Sequence, residues 1–265
     1  MLKDITLGQY FPGNTLIHRL DPRSKLILVA VFIVALFTAD GWPSYLLLIL
    51  LTALGMGVSH IRPKNIFKGL KPMLFIIVLT GLLNIFYTRG TPVYRDWIIT
   101  WEGLDRAGKM ILRITLLITS TFLLTYTTSP MSLTDGLERL FRPLKKLHVP
   151  VHEITMMMSM ALRFIPTLIE ETDKIMSAQK ARGADFETGN LIQRAKALIP
   201  IFVPLFVSSF RRADELAIAM ESRCYHGGEG RTRLKELHYS REDVVMLLFG
   251  AVLLAGIIVM KKLGL

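Results

Sequence analysis

Long uncharged stretches dominate the pattern of the chain. Residues 26–39 run 14 positions without a charge, 41–61 run 21, 72–88 run 17, 114–134 run 21 and 244–260 run 17. A helix crossing the hydrocarbon core needs about 20 mostly apolar residues, with a lower limit near 17. The first run reaches that length when Arg23 and Lys25 snorkel their charged ends toward water. Only helices satisfy their own backbone groups in lipid, so the runs predict about five transmembrane helices rather than buried strands. The Gly41-Trp42-Pro43-Ser44 cluster predicts a tight turn between the first two.

The pattern changes over residues 131–243. This segment holds 17 of the 32 Lys and Arg and 15 of the 21 Asp and Glu, a mixture that predicts an aqueous, cytoplasmic region. It still carries two apolar patches, 154–169 and 197–210. In the first, Met156, Met160, Phe164 and Leu168 repeat at four-residue spacing beside Ile154, Met158, Leu162 and Pro166. That spacing predicts a long amphipathic helix running on into Glu170 and Asp173. Two uses of the Met-rich stripe stay open: packing core, or an adaptable surface for partners. The second patch predicts another long helix, bent at Pro200 and Pro204 and stopped near Arg223 by Gly227-Gly228. A shorter helix is expected over 132–147, with Pro143 inside it. The division is therefore a membrane part (1–130), a coupling part (131–243) and a last transmembrane helix (244–265).

The ends of the two long helices repeat one another at an offset of 41 residues. Ala181-Arg182-Gly183 matches Ser222-Arg223-Cys224, each a small residue, an arginine and a small residue. Small neighbours let another backbone approach, and arginine presents a planar fork suited to a carboxylate. A cation also complements the negative end of a helix dipole. Two equivalent arginines at two helix tips suggest a paired socket for a two-fold partner.

Composition sharpens this picture. An apolar fraction of 51% and a mean hydropathy of +0.43 accompany a formal charge of +11, as in a membrane protein with basic loops. Nucleic acid is not an expected partner once the apolar runs explain the chain. Cys224 is the single cysteine, which excludes an internal disulfide and a multi-cysteine zinc site. Residues 1–21 contain Asp4, Pro12, Gly13, His18 and Arg19 before any apolar run, so no cleavable signal peptide is expected. Lys3, Arg19, Arg23 and Lys25 precede the first run, and Arg62, Lys64, Lys68 and Lys71 lie between the second and third. This bias predicts a cytoplasmic N-terminus. Arg89, Arg95, Arg106, Lys109 and Arg113 fall on the opposite side, and Arg113 could lie within the membrane as a functional candidate or pack against neighbouring helices.

Other chemistry is weakly signalled. Gly103–Lys109 approaches a phosphate-binding loop, yet Met110 replaces the Mg²⁺-binding hydroxyl and a span follows. His148 and His152, beside Glu153, are separated by Pro150 and lack an evident third ligand. Asp135, Glu138, Glu170, Glu171, Asp173, Asp214 and Glu215 fit solvated helix faces. Catalytic residues, a metal site and a bound cofactor are not expected.

Taken in order, several motifs resemble the transmembrane T component of energy-coupling factor (ECF) transporters, an EcfT/CbiQ-like family. They are Tyr10-Phe11-Pro12-Gly13, Leu16-Ile17-His18-Arg19-Leu20-Asp21-Pro22-Arg23-Ser24-Lys25, Thr134-Asp135-Gly136-Leu137, Pro143-Leu144-Lys145-Lys146-Leu147, the Ser159–Leu168 stretch and the two arginine motifs, the second leading into residues 225–232. The resemblance implies an all-α membrane protein with long amphipathic coupling helices. It implies that Arg182 and Arg223 dock two ABC-type ATPase subunits, which would hold the ATP. It also implies a platform for a substrate-binding S subunit, placed at Met156, Met157, Met160, Phe164, Leu168, Phe202, Leu205 and Phe206. Cys224 departs from the family's glycine and is expected to disfavour a left-handed backbone there. The competing readings are a self-sufficient secondary transporter around Arg113 and Asn84, and an intramembrane enzyme.

Overall fold

The computed structural model describes residues 10–92, 99–186, 188, 190–227 and 237–263. Lys3, Asp4, Arg95, Gly228 and residues 229–232 of the motifs above lie outside them. The elements are α1 (Leu16–Arg19), α2 (Pro22–Thr38), α3 (Trp42–Ser59), α4 (Pro63–Leu70), a 3₁₀ turn (Lys71–Met73) and α5 (Leu74–Tyr87). They continue with α6 (Trp101–Thr127), α7 (Pro130–Phe141), a 3₁₀ turn (Arg142–Leu147), α8 (Val151–Ala181), α9 (Leu191–Glu221) and α10 (Arg241–Lys262). The described residues form two compact units: those within 10–139 together with 237–263, and those within 140–227.

The first unit is a helical bundle whose core joins Ala35, Leu36 and Ala39 of α2 and its end to Tyr45 and Leu48 of α3, Leu116 of α6 and Ile257 of α10. Glycines let helices meet closely where apolar burial between helices gives little drive in lipid. A Cβ on Gly250 of α10 would stand 2.8 Å from Leu28 of α2, and one on Gly103 would stand 3.0 Å from the Ile85 carbonyl that ends α5. Gly103 thus serves helix packing, which accounts for the glycine of the phosphate-loop-like stretch.

Each end of the bundle has its own polar ties. At one end, Arg113 of α6 donates from Nε to Tyr45 Oη and from Nη2 to the Ala39 carbonyl, both at 3.1 Å, beside the rings of Phe37 and Tyr45. Lys261 pairs with Asp40 at 2.8 Å, and the Trp42 indole donates to Asp105. Arg113 therefore staples α2, α3 and α6 together, the packing alternative of the sequence reading. The Asp40 carboxyl, in the loop between α2 and α3, is held below its ordinary value by its hydrogen bond to Lys261.

At the other end, Asp21 caps α2 by accepting from Arg23 N, with Pro22 at the first helical position. The Asp21 backbone N–H donates to Asp243 Oδ1 at 2.9 Å, and Asp243 forms a capping box with Ser240 at the start of α10. Arg23 pairs with Asp21, donates to the Leu237 carbonyl and lies 4.0 Å over the Tyr239 ring. Lys25 Nζ donates to the Thr127 carbonyl and to Thr128 Oγ1 beyond α6. The His18 imidazole, on α1 beside this cluster, is held below its ordinary value chiefly by burial. The Leu20–Lys25 motif is thus the knot tying α1, α2, α6 and α10, and Gly136 of the Thr134–Leu137 motif lets α7 approach the backbone of Pro22 and Arg23.

Five segments among the described residues are long and apolar enough to span: Trp42–Ser59, Pro63–Tyr87, Trp101–Thr127, Ile192–Glu221 and Arg241–Lys262. The set differs from the sequence expectation by including α9 and omitting α2, whose 17 residues lie at the lower limit. Within the first unit α2 packs along α10, and α6 ends and α10 begins at the same end of the bundle. Two further boundaries move. The run at 114–134 ends as helix at Thr127, and the helix expected over 132–147 spans Pro130–Phe141, with Pro143 placed in a 3₁₀ turn because it cannot donate inside an α-helix.

Asp243 is buried to 1% exposure. Replacing Asp243 with Ala leaves the Asp21 amide without its carboxylate and removes the α10 capping box, which should lower stability by about 2–4 kcal/mol. Thermal unfolding in detergent is the check, with Asp243→Asn expected to lose less; equal stability of Asp243→Ala and the unmodified chain contradicts the knot.

Candidate functional site: the paired helix tips

The second unit is built on α8 and α9, each of 31 residues and each running through internal prolines, Pro166 in α8 and Pro200 and Pro204 in α9. Their contacts set their course. Tyr225, just past α9, donates to Met156 Sδ at 3.0 Å and meets His152 near the start of α8. Farther along, Glu171 of α8 meets Ser208 and Arg212 of α9. Low positions on α8 pair with high positions on α9, so the helices run antiparallel. His152 is thereby engaged by a tyrosine from the far end of the pair.

The two tips are built alike to the individual hydrogen bond. At the first, Arg182 N donates to Gln179 O, Gly183 N to Lys180 O and Ala184 N to Gln179 O, at 3.0 Å each. At the second, Arg223 N donates to Met220 O, Cys224 N to Glu221 O and Tyr225 N to Met220 O, at 3.1, 2.9 and 3.1 Å. Both sets are Schellman caps, in which a residue of positive φ turns the chain and its neighbours satisfy the last carbonyls. Gly183 has φ +87° and Cys224 has φ +54°. This corrects the expectation for Cys224: the residue does take the left-handed conformation, because the two cap bonds outweigh the steric penalty of its Cβ, about 1–2 kcal/mol.

Ala181, Arg182 and Gly183 are exposed, and so are Ser222, Arg223 and Cys224. Each guanidinium projects from the carbonyl end of a long helix, where the dipole favours a cation and the last turn is already capped by backbone. Its fork is thus left available for a carboxylate. The tips differ in tethering, since Tyr225 ties the second to α8.

Glu171 joins the helices between the tips. Its Oε2 lies 3.0 Å from Arg212 Nη2, and Ser208 Oγ donates to Oε1. The Ser208 hydrogen bond first, and the Arg212 charge with it, hold the Glu171 carboxyl below its ordinary value. A depressed carboxyl contributes stability above the unfolded value and loses it as pH falls through the folded one. This join is therefore intact at neutral pH and opens only in acid.

The expected platform residues divide by exposure. Met157, Phe202 and Phe206 are half or more exposed, whereas Met156, Met160, Phe164, Leu168 and Leu205 are partly buried. The open apolar face belongs to α9: Ile199, Phe202, Val203, Phe206, Val207 and Phe210 each expose more than half their surface. Ile199, Val203, Val207 and Phe210 lie in the apolar patch 197–210 and, at three- and four-residue spacing, extend the residues singled out there.

A family model described as cobalt transport protein matches residues 13–234. The energy-coupling factor transporter transmembrane protein EcfT of Ruminiclostridium cellulolyticum is 53% identical over 264 residues, covering 98% of each chain. The protein of the same name from Clostridium kluyveri is 54% identical over 257 residues, 96% of this chain and 95% of its own. That of Thermosediminibacter oceani is 50% identical over 262 residues, covering 98% and 99%. The chain belongs to the EcfT family. It is a multi-pass membrane component of the ECF transporter class, all-α in fold, and its long α8–α9 pair carries the arginine tips.

The cap geometry yields a test within this EcfT chain. Cys224→Gly removes the left-handed penalty at the second tip and should stabilise it by about 1 kcal/mol, while Gly183→Ala should destabilise the first by a similar amount. Hydrogen exchange at the amides of Tyr225 and Ala184 reads each cap separately. Faster exchange at Tyr225 in Cys224→Gly contradicts the assignment.

Proposed function

We propose that the chain is the transmembrane scaffold of an ECF-type ABC importer for a micronutrient, a vitamin or a metal ion. It couples ATP hydrolysis by two cytoplasmic ATPase subunits to reorientation of a separate substrate-binding S subunit. The chain itself catalyses no reaction and holds no cofactor; ATP belongs to the ATPase pair. The observation that carries this reading is the pair of equivalent, exposed, Schellman-capped arginines, one for each member of a two-fold ATPase pair.

In this mechanism Arg182 and Arg223 each enter a groove on one ATPase and meet carboxylates there. A bidentate pair resists both translation and rotation, so closure of the ATPases is transmitted to α8 and α9 as a change in their arrangement. The open apolar face of α9, with Met157, Phe202 and Phe206 among its surroundings, is where the S subunit rests and rocks. The ATPase pair drives the S subunit only if it binds the two arrangements unequally. The mixed charge of residues 131–243 supports placing both tips in the cytoplasm. A secondary transporter working through Arg113 is disfavoured, since that guanidinium is engaged by Tyr45 and the Ala39 carbonyl.

Replacing Arg182 and Arg223 together with Ala should abolish co-purification of the ATPase pair without affecting membrane insertion. Truncating one such contact is worth about 2–5 kcal/mol, so each single variant should weaken assembly measurably. Undiminished ATPase recovery with the double variant, or solute transport by the chain alone in liposomes, overturns the reading.

A further inference from the structure

Glu171 and Arg212 occupy equivalent positions of the internal repeat, each eleven residues before the arginine of its own tip. They are also in contact, at 3.0 Å. A contact between equivalent positions of two related elements lies on the local two-fold axis that relates them. Eleven helical residues rise about 16 Å, so the tips stand at equal arm lengths on opposite sides of this contact.

At the axis the repeat carries opposite charges. Asp173 matches Asp214 and Arg182 matches Arg223, whereas Glu171 is matched by Arg212, as the flanking Glu170 and Lys174 are by Arg211 and Glu215. Two like charges brought together on the axis repel, whereas Glu and Arg attract. Ser208 adds a hydrogen bond to the carboxylate oxygen that Arg212 leaves free, and Arg212 Nε is buried with no hydrogen-bond partner among the described residues. Glu171 is accordingly the carboxylate on which this guanidinium depends.

We infer that Glu171, Arg212 and Ser208 form the fulcrum of the α8–α9 pair, a set of positioning residues that fixes the spacing and relative orientation of the two arginine tips. The fulcrum's use in transport rests on the ATPase-docking reading; its geometry does not. Cα-directed forces applied at the two tips are transmitted as rotation about this point rather than as sliding of one helix along the other.

The test uses the full chain in lipid nanodiscs, spin-labelled at the native Cys224, the single cysteine, and at Ala178→Cys near the other tip. Electron–electron distance measurement should give a narrow distribution. Glu171→Gln, which retains a group for Ser208 to bond, should broaden it about two-fold, and the exchange Glu171→Arg with Arg212→Glu should restore it. In the assembled transporter, the same single variant should lower solute imported per ATP hydrolysed several-fold, with recovery in the exchange variant. An unchanged distance distribution in both Glu171→Gln and Arg212→Gln overturns the fulcrum, as does an exchange variant as broad as the singles. Broadening with rescue, but with the ratio of import to hydrolysis unmoved, upholds the fulcrum's geometry and overturns its use in transport, while the docking reading itself stands or falls with ATPase recovery in the Arg182→Ala, Arg223→Ala double variant.

Discussion

The Asp243 carboxylate is the point on which the architecture turns. It is buried, it caps α10 and it receives the amide of Asp21, 222 positions earlier in the chain. A buried polar group without a partner is costly, so a helix end buried inside the bundle is stable only with its partners supplied by protein. The knot supplies them for α2 and α10 at once, and so joins the first and last long helices of the bundle.

The second unit, described by itself, carries an open apolar surface, with the α9 face largely exposed. Among the described residues, the Glu171–Arg212 join near the middle and the Tyr225 contact at one end are polar links between α8 and α9. The tips, by contrast, are rigidly finished by their caps.

Several sequence motifs acquire physical meaning only in this frame. The Leu20–Lys25 stretch is a cap, an ion pair and an amine donor directed at three different helices. Gly136 is small because the backbone of α2 approaches it. Gly103 and Gly250 serve close helix contacts of the same kind. None of these residues touches a solute or a nucleotide, yet each sets where a helix begins or how near it lies to its neighbour.

The amino-acid pattern by itself determined the class of molecule. Runs of apolar residues near the length of a bilayer, a mixed-charge segment between the fourth and fifth, and a repeated arginine motif at helix ends all follow from local composition and period. Local periodicity also sufficed for the existence of α8 and α9 and for their ends at the arginine motifs, while their starts at Val151 and Leu191 were not legible from it. Tertiary structure alone decided that the Leu20–Lys25 motif ties α2 to α6 and α10, through the Asp21–Asp243 hydrogen bond and the Lys25–Thr127 hydrogen bond. It decided as well that Cys224 turns left-handed, since two cap hydrogen bonds prevail over a side-chain clash that residue type alone suggests. It paired Glu171 with Arg212, a meeting of residues 41 apart that depends on the antiparallel course of two helices. Propensity and spacing are properties of neighbouring positions, whereas cap balance and charge pairing depend on where distant segments arrive.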